Sequence, residues 1–401
     1  MEPSLTVYGI GADGWGSVDP RSRAEILAAD VVLGGERHLD LLPEAPGQQR
    51  APWPRPLREN LPAFVDGFRG RAVAVLASGD PLLSGIGSTL IDLLGAEQVR
   101  VVPAVSSVSL ATARMGWPAE SVEVVTLVGR DPSAVLRALA PGHRLLVLSS
   151  DADTPSAVCA LLTEHGFGAS AVTVLGDLGA SDESRSDATA ATWSGPAPQL
   201  NVIAVVGDGV GHGWTPGLPD DAFENDGQLT RRDARASALA RLAPRPGQLL
   251  WDVGAGAGSV GIEWLRAHPT TRAVAVETDP ARAARITRNA RALGVPRLAV
   301  VTGAAPAALA DLPAPDAVFI GGGASRDGVL DAALAALAPG GRLVVHGVTH
   351  QTESLLIARY ADLGGELTRL QVESAAPIGT FTGWTPARAI TSWALEIGTP
   401  S

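Results

Sequence analysis

The residues best suited to chemistry follow an apolar run in the second half of the chain. Residues 249–253 (LLWDV) have the character of a buried parallel strand, and glycines at 254, 256 and 258 separate them from a helical pattern. Glycines at such a turn let backbone N–H groups approach a ligand, and the N-terminus of the next helix favours negative charge. Asp252 stands where a carboxylate can meet an ammonium group. The stretch therefore predicts a ligand site at the end of this strand.

Two further apolar runs belong to the sheet that must position this site. Residues 273–276 end in Glu277, placed like an acid that binds ribose hydroxyls, and residues 317–320 end in three consecutive glycines. This order resembles the class I S-adenosylmethionine (SAM) methyltransferases, in which a doubly wound sheet holds its ligand at the carboxyl ends of the strands. A nicotinamide enzyme and a nucleotide-binding fold without chemistry are the alternatives, since Glu277 suits SAM and NAD equally.

The composition excludes several kinds of chemistry. The 401 residues have a net charge of −11, which disfavours a nucleic-acid substrate, and all 31 basic residues are arginine. A chain without lysine forms no Schiff base and has no P-loop lysine. The single cysteine, Cys159, excludes an intramolecular disulfide and a cysteine-cluster metal site. No stretch is apolar enough to span a bilayer and no leader is recognised, so a cytoplasmic location is expected.

The first half of the chain also alternates short strands with glycine-rich turns. Strands are predicted at residues 5–10, 72–76, 99–102, 145–148, 172–175 and 201–206. Its motifs are, in order, VYGIGADGW, GGERHL, VLASGDPLLSGIG, PAVSSVSLATARMGWP and VGRDP. Five motifs in this order resemble the tetrapyrrole (corrin) methylases, most closely the branch that methylates precorrin-6. The resemblance implies a bilobal tetrapyrrole-methylase domain over residues 1–210, with SAM held between lobes of about 1–105 and 106–210.

The second half resembles the decarboxylating precorrin-6 methylases. The matching segments are LTRRDARA, DVGAGAGSVGIE, AVETDP, GAAPAAL, DAVFIGGG, LAPGGRLVV and AAPIGTFTGWTPARAITSW. Residues 227–401 are therefore predicted to form a class I SAM-dependent methyltransferase domain, whose parallel sheet includes further strands at residues 298–301 and 343–346. Residues 211–226, rich in Gly, Pro and Asp, are predicted to be a linker. The fold class is thus α/β, with an N-terminal bilobal tetrapyrrole-methylase fold and a C-terminal doubly wound, Rossmann-like sheet.

The two resemblances imply a bifunctional SAM-dependent C-methyltransferase of cobalamin biosynthesis, with one SAM in each domain and no metal. The N-terminal half would methylate precorrin-6 at C5, and the C-terminal half would methylate C15 and decarboxylate the C12 acetate, giving precorrin-8. The SAM-binding residues predicted in the first half are Gly9, Gly11, Ser78, Gly79, Asp80, Gly85, Ser106, Ser107, Gly129 and Arg130. Those predicted in the second half are Thr230, Asp252, Gly254, Ala255, Gly256, Ala257, Gly258, Glu277, Gly303, Ala304 and Ala305.

Few side chains need to act as catalysts, because SAM carries an electrophilic methyl group and the reduced tetrapyrrole supplies a nucleophilic carbon. Asp80, in SGDP, is a candidate for a polar role near the reacting carbon; its alternative role is to cap a helix. His346 and His350 follow the last parallel strand and are candidates for proton transfer; otherwise they are ordinary strand-end residues.

Substrate-binding candidates come from the second half. Arg231 and Arg232 precede a helix and could bind acetate or propionate groups bidentately, or form a solvated pair. Trp384 could cover the macrocycle or close an antiparallel edge. Ala304 stands where the family often has an acidic residue beside the adenine, which predicts weaker SAM affinity. In the first half, Val128 stands where related enzymes often carry histidine.

Other classes of function stay open at this point. A regulatory or scaffold protein that binds SAM or a tetrapyrrole without turnover is the main alternative, and a nicotinamide oxidoreductase is the next. Glycine-rich turns in both halves argue against the first, because a degenerate domain would lose one set. The resemblance also implies a homo-oligomer, a dimer or tetramer, that takes a small-molecule precorrin and contacts neither nucleic acid nor membrane.

Overall fold

The fold is that of a computed structural model, which describes residues 5–398 in two compact units. The first unit contains the residues up to Pro132 together with Ala140–Val210. The second contains Ser133–Leu139 and the residues from Gly211 onward. Both units are α/β, which confirms the predicted fold class. Among residues 5–398, no helix has both the length and the apolar character needed to cross a bilayer.

The first lobe of the first unit is a five-stranded parallel sheet. Its strands are β1 (Leu5–Ile10), β2 (Val31–Gly34), β3 (Gln49–Pro52), β4 (Val73–Ser78) and β5 (Val99–Val102). They pair in the order β3-β2-β4-β1-β5. Pro52 is the last residue of β3, which lies at the edge of the sheet. A proline is tolerated there because an edge strand needs backbone donors on one side only.

Five helices follow strands of this lobe in the chain: α1 (Pro20–Ala28), α2 (Glu36–Asp40), α3 (Leu57–Asp66), α4 (Ile86–Leu94) and α5 (Ser107–Met115). The first four pack against this sheet, whereas α5 packs against apolar residues of the second lobe. Helix α1 begins where the Asp19 carboxylate accepts hydrogen bonds from the backbone N–H groups of Arg21 and Ser22. Central strands β1, β2 and β4 are almost wholly buried and pack apolar side chains on both faces, as a covered parallel sheet requires.

The second lobe is a mixed five-stranded sheet. Its elements are β6 (Glu123–Thr126), β7 (Arg144–Leu148), α6 (Thr154–Glu164), β8 (Ala171–Gly176), β9 (Ser184–Thr189) and β10 (Asn201–Val206). The strand order is β6-β7-β10-β8-β9; β6 is parallel to β7, and the other pairs are antiparallel. The sequence predicts β7, β8 and β10 but not the two edge strands, whose polar residues are largely exposed.

The second unit is built on a seven-stranded sheet. Its helices are α7 (Arg232–Leu242), α8 (Ser259–Ala267), α9 (Pro280–Ala292), α10 (Val329–Ala336) and α11 (His350–Leu363). Its strands are β11 (Leu249–Val253), β12 (Arg272–Glu277), β13 (Ala299–Thr302), β14 (Ala317–Ile320), β15 (Arg342–Gly347), β16 (Glu366–Leu370) and β19 (Ile390–Glu396). The order is β13-β12-β11-β14-β15-β19-β16. Five strands are parallel as predicted, and β19 and β16 extend the sheet in antiparallel fashion.

Two strands of the second unit stand apart from this sheet. They are β17 (Glu373–Ile378) and β18 (Phe381–Pro386), which form an antiparallel hairpin with most side chains exposed. The sequence does not predict either strand, because most of their side chains are exposed and their residues do not alternate regularly between apolar and polar.

The segment predicted as a linker is packed in part against the second unit. Leu218 and Phe223 are buried in its core. The fully buried Arg235 donates to Glu263 and to the Leu218 carbonyl, and the Glu263 carboxylate accepts from the backbone N–H groups of Gly217 and Leu218. The predicted domain boundaries stay a prediction, but residues 217–223 have fixed places in this unit.

The arginine-rich face of α9 is held in ion pairs with acidic residues of a preceding segment. Arg282 and Arg285 contact Asp226, and Arg288 contacts Glu224. Three-residue spacing shows that these arginines share a face, but not that a loop with acidic residues covers it.

Candidate functional site

The second unit has a cleft of about 650 Å³ at the carboxyl ends of its parallel strands. The predicted residues that line it are Thr230, Arg231, Gly254, Ala255, Gly256, Glu277, Gly303, Ala305 and His346. Carboxyl ends of parallel strands are where a doubly wound sheet binds its ligand. Most of the SAM site predicted in this half therefore comes together in one place, although its role as a binding site stays a prediction.

Glycine is required at the turn after β11 because the backbone there is both left-handed and crowded. Gly254 has φ +66°, and a Cβ on it would lie 2.6 Å from the carbonyl oxygen of Gly322. Gly256 has φ +59°, and its Cβ would lie 2.6 Å from the carbonyl of Gln228. Any side chain at either position would displace the neighbouring backbone and change the cleft wall.

Glu277, at the end of β12, holds this turn as well as lining the cleft. Its Oε2 accepts a 2.8 Å hydrogen bond from the N–H of Gly256, and its Oε1 accepts from the N–H of Asp279 at 3.1 Å. The carboxylate is thus fixed at the position where the sequence predicts contact with ribose hydroxyls.

Asp252 does not line the cleft, contrary to what its position two residues before the first glycine suggests. It is fully buried, and its Oδ2 accepts from the N–H of Gly261 at 2.8 Å, in the first turn of α8. Its Oδ1 is buried without a hydrogen-bond partner in the described part of the chain. Burial raises the pKa of this carboxyl to about 7, and the Glu277 carboxylate adds to the rise. Ala257, Gly258 and Ala304, also predicted, lie outside the lining too.

His346 lines the cleft as the penultimate residue of β15. Its ring packs edge-on against Phe319, with centroids 5.0 Å apart, and burial lowers its pKa to about 4, so the ring is neutral near pH 7. Both ring nitrogens are covered and have no hydrogen-bond partner among the described residues. A part in proton transfer stays a prediction for this residue.

His346 begins a row of buried polar groups that crosses three strands. Ser392 on β19 lies directly opposite His346, and Thr368 on β16 lies directly opposite Ser392. The hydroxyl oxygens of both are buried, and neither has a hydrogen-bond partner within residues 5–398. Directly opposed residues point to the same face of a sheet, so the row leads away from the cleft through the sheet's interior.

Of the four remaining catalytic and substrate-binding candidates of the second unit, three lie outside the cleft lining. His350 begins α11 with its side chain fully exposed, and Trp384 lies on β18 with 71% of its surface exposed; neither lines the cleft. Arg231 lines the cleft, but Arg232 does not, and the backbone N–H of Arg232 donates to Asp220 at 2.9 Å. Of these four, only Arg231 is placed where it could meet a ligand in this cleft.

The first unit has a cleft of about 450 Å³ lined by both of its lobes. The predicted residues that line it are Gly11, Ser78, Gly79, Asp80, Gly85 and Ser107. Val128, at the position where related enzymes often carry histidine, lines it as well. This placement agrees with the expectation that the ligand of this half lies between two lobes.

The other residues predicted in the first half support this cleft without lining it. A Cβ on Gly9 would lie 2.1 Å from the carbonyl oxygen of Gly79, so the end of β1 and the turn after β4 touch backbone to backbone. Ser106 caps α5 by accepting from the N–H of Ser109 at 3.0 Å, and Gly129 donates to Ser150 at 3.2 Å. Arg130 is not part of the lining either.

Asp80 closes a turn and does not cap a helix, contrary to its predicted alternative role, and it faces the cleft. Its Oδ1 accepts from the N–H of Leu82 at 2.9 Å, which closes the turn after β4. The helix that follows begins only at Ile86, so Asp80 caps the turn and not the helix. A role near the reacting carbon stays a prediction.

Arg37, His38 and Asp177 line the cleft of the first unit but were not predicted as site residues. The Ser78 hydroxyl accepts from Arg37 at 3.1 Å and lies 3.1 Å from Nε2 of His38, whose pKa burial lowers to about 4. Asp177 has φ +46°, uncommon outside glycine, and burial raises its pKa. The segment GGERHL was visible in the sequence, but only the fold brings it to the turn after β4.

Comparison with known proteins decides the family. Residues 4–192 match the tetrapyrrole (corrin/porphyrin) methylases, and residues 221–397 match the precorrin methyltransferase domain. A Sinorhizobium sp. protein named precorrin-6Y C(5,15)-methyltransferase (decarboxylating) is 46% identical over 99% of this chain and 97% of its own length. This chain belongs to the precorrin-6Y C(5,15)-methyltransferase family. The recognition made from sequence is confirmed.

A second full-length relative agrees with this placement in the precorrin-6Y methyltransferase family. A Mycobacterium tuberculosis protein of the same name is 45% identical over 98% of this chain and 99% of its own length. The crystal structure of the C-terminal domain of a precorrin-6Y C5,15-methyltransferase from Rhodobacter capsulatus is 44% identical and covers 46% of this chain and all of its own, with a TM-score of 0.44. The second cleft lies wholly within the matched residues 221–397, and the first is lined by residues of the matched region 4–192 together with residues 199–202 beyond it.

Proposed function

We propose that this chain is a bifunctional SAM-dependent C-methyltransferase of cobalamin biosynthesis that converts precorrin-6Y to precorrin-8. It methylates C5 and C15 and removes the carboxyl group of the C12 acetate. The observation that carries the proposal is that the chain matches full-length relatives of this name and has two separate glycine-walled clefts. A cytoplasmic location and a homo-oligomeric state belong to the proposal as expectations from the family.

Both clefts fit SAM on their own geometry. In the second unit, the crowded glycines 254 and 256 leave backbone open to a ligand, and Glu277 presents a fixed carboxylate at the end of the neighbouring strand. In the first, Gly79 has φ +54° and lines a cleft bounded by both lobes. SAM, when bound, supplies an electrophilic methyl group. Among residues 5–398, no group of three His, Cys, Asp or Glu side chains is placed to hold a metal ion.

The residues of the first cleft bind and orient, since the reaction needs no side-chain nucleophile. The turn from Ser78 to Asp80 is fixed by Asp80 and by the backbone contact with Gly9. Arg37 offers a guanidinium to an anionic group of the substrate while it donates to Ser78. Neutral His38 presents its ring without adding a charge.

The second cleft combines methylation with loss of carbon dioxide. Methylation at C15 leaves the macrocycle electron-poor, and the bond between the C12 acetate methylene and its carboxylate then breaks with its electron pair entering the ring system. The methylene carbon next takes up one proton and becomes a methyl group. The proton comes from water, and we propose that His346, whose ring is neutral near pH 7, relays it by taking up a proton at one ring nitrogen as it gives one up from the other.

The division of labour is tested by disabling one cleft at a time in the full chain. Gly254→Ala forces the β11 turn away from Gly322, and Gly9→Ala forces the Gly79 turn to move. With precorrin-6Y and SAM, we expect Gly254→Ala to stop carbon dioxide release and C15 methylation. We expect Gly9→Ala to leave a product methylated once and decarboxylated, detected by mass spectrometry.

Gly213→Ala is the matched control for these variants. It adds the same methyl group to a glycine of the second unit that does not line the cleft, where no atom lies within 4 Å and φ needs no glycine. This variant should keep both activities. Asp80→Asn gives a second test of the first cleft that leaves the backbone unchanged. If each glycine variant lost both methylations while still folded by circular dichroism, the assignment of one reaction to each cleft would be wrong.

A further inference from the structure

Four arginines line the second cleft, and two of them are paired with an acidic residue. Nη1 of Arg231 lies 3.5 Å from Oδ2 of Asp220, and Nε of Arg282 lies 2.9 Å from Oδ2 of Asp226. Arg326 and Arg388 line the same cleft, and within residues 5–398 neither guanidinium has a hydrogen-bond or ion-pair partner. The cleft thus presents two positive charges that the protein itself does not neutralise.

The turn after β14 fixes the position of Arg326. Its backbone N–H donates to the carbonyl of Gly323 at 3.0 Å, and its Cδ and Nε lie 3.7 and 3.8 Å from the point where a Cβ on Gly323 would stand. Gly323 has φ +79°, which favours glycine. The Arg326 side chain therefore lies along a residue without a side chain, at the wall that faces Gly254.

Arg388 belongs to the short segment between β18 and β19. The N–H of the residue before it, Ala387, donates to the carbonyl of Val372 at 2.8 Å, which fixes the backbone at the cleft edge. The lining of the cleft contains one acidic residue, Glu277, whose carboxylate already accepts two backbone hydrogen bonds. In a chain of net charge −11, two unpaired arginines in a cleft indicate an anionic ligand group.

We propose that Arg326 and Arg388 bind acetate or propionate carboxylates of the tetrapyrrole that do not react. The proposal rests on the proposed function of the second cleft. An arginine on the departing carboxylate would oppose the reaction, because it stabilises a charge that the transition state disperses. Arginines on the other carboxylates orient the macrocycle without that effect.

The test measures carbon dioxide release by the full chain as a function of precorrin-6Y concentration at saturating SAM. Arg326→Gln and Arg388→Gln should each raise KM for the tetrapyrrole by about tenfold, the usual effect of losing a hydrogen bond to a charged group. Lysine at either position keeps the charge but loses the bidentate geometry, so KM should lie in between. Arg369→Gln is the control: it removes an exposed arginine of the same unit, paired with Glu353 outside the cleft.

Two further readouts separate substrate binding from other roles. The Kd of S-adenosylhomocysteine, by isothermal titration, should stay unchanged in both glutamine variants; a weaker Kd would assign the arginine to the cofactor and overturn the proposal. KM of the wild type should rise with salt more steeply than KM of the double variant. Unchanged KM in both variants would also overturn it, whereas a wild-type chain that releases no carbon dioxide would instead contradict the proposed function.

Discussion

Asp252 has a pKa raised to about 7 by burial, and it supports the second cleft without lining it. Strand alternation explains its place: Trp251 and Val253 pack on one face of the sheet, so Asp252 points to the other, toward α8. Its spacing from the glycines was visible in the sequence. Because side chains alternate between the two faces of a strand, the direction of Asp252 could have been predicted from the apolar residues on either side of it.

Asp252 should make the second unit less stable as the pH rises. Burial raises its pKa from the ordinary 3.8 to about 7, so between these values the folded protein holds a proton that the unfolded chain has lost. The free energy of unfolding therefore falls with rising pH, by about 4 kcal/mol over the whole window. In Asp252→Asn the amide oxygen still accepts from Gly261, but this pH dependence disappears.

Calorimetry of the full chain at pH 5 and pH 8 checks this expectation. From pH 5 to pH 8, the free energy of unfolding of the second unit should fall by about 2–3 kcal/mol more in the wild type than in Asp252→Asn. The melting temperature of the wild type should fall correspondingly more. Asp311→Asn, at an exposed carboxylate of the same unit, serves as the control and should follow the wild type. Equal pH dependence in wild type and Asp252→Asn would show that the buried carboxyl titrates normally.

The antiparallel strands β19 and β16 bring unpaired polar side chains into the interior of the second unit. They place Ser392 and Thr368 in line with His346, and leave two buried hydroxyls without partners in the described chain. Buried polar groups without partners cost stability. Their position behind a cleft-lining histidine agrees with the predicted catalytic role of His346, since locally unfavourable arrangements are commonly found at functional sites.

Ser392→Ala and Thr368→Val should therefore leave the stability of the second unit unchanged or raise it. Each removes a hydroxyl that makes no hydrogen bond to the protein, so no bond is lost. The control is Thr349→Val, since the Thr349 hydroxyl accepts from the N–H of Thr352 at the start of α11 and its loss should cost about 1 kcal/mol. Denaturant unfolding compares the three. A loss above about 1 kcal/mol in Ser392→Ala would mean that its hydroxyl has a partner after all.

The elements that sequence could predict are those with a buried, periodic pattern. Strands β1, β5 and β10 were predicted at their observed bounds, and the glycine turn after β11 was found with them. Strands β9, β17 and β18 were missed because their side chains are mostly polar or exposed and pack on little. Arg326 and Arg388 were not predicted as a pair of unpaired arginines, because only the folded structure shows which arginines contact an acidic side chain.

For the whole molecule, the resemblance of each half to a methylase gave the organisation into two units, and the contacts of particular residues refine it. Ser133–Leu139 belongs with the second unit, where the carbonyl of Arg137 accepts from Trp214. The Arg235–Glu263 pair holds residues 217 and 218 against the same unit. Sequence composition could not reveal these contacts, because glycine- and proline-rich segments look alike whether free or packed. Tests of function therefore require the full chain.

The central claim is that one chain performs two methylations and one decarboxylation on the same tetrapyrrole. The most direct measurement is mass spectrometry of the product that the purified full chain forms from precorrin-6Y and SAM. We predict a product that has gained two methyl groups and lost one carbon dioxide, with two S-adenosylhomocysteine molecules released for each product. A tetrapyrrole of unchanged mass, recovered from a chain that binds SAM in both clefts, would contradict the account and identify a binding protein without turnover.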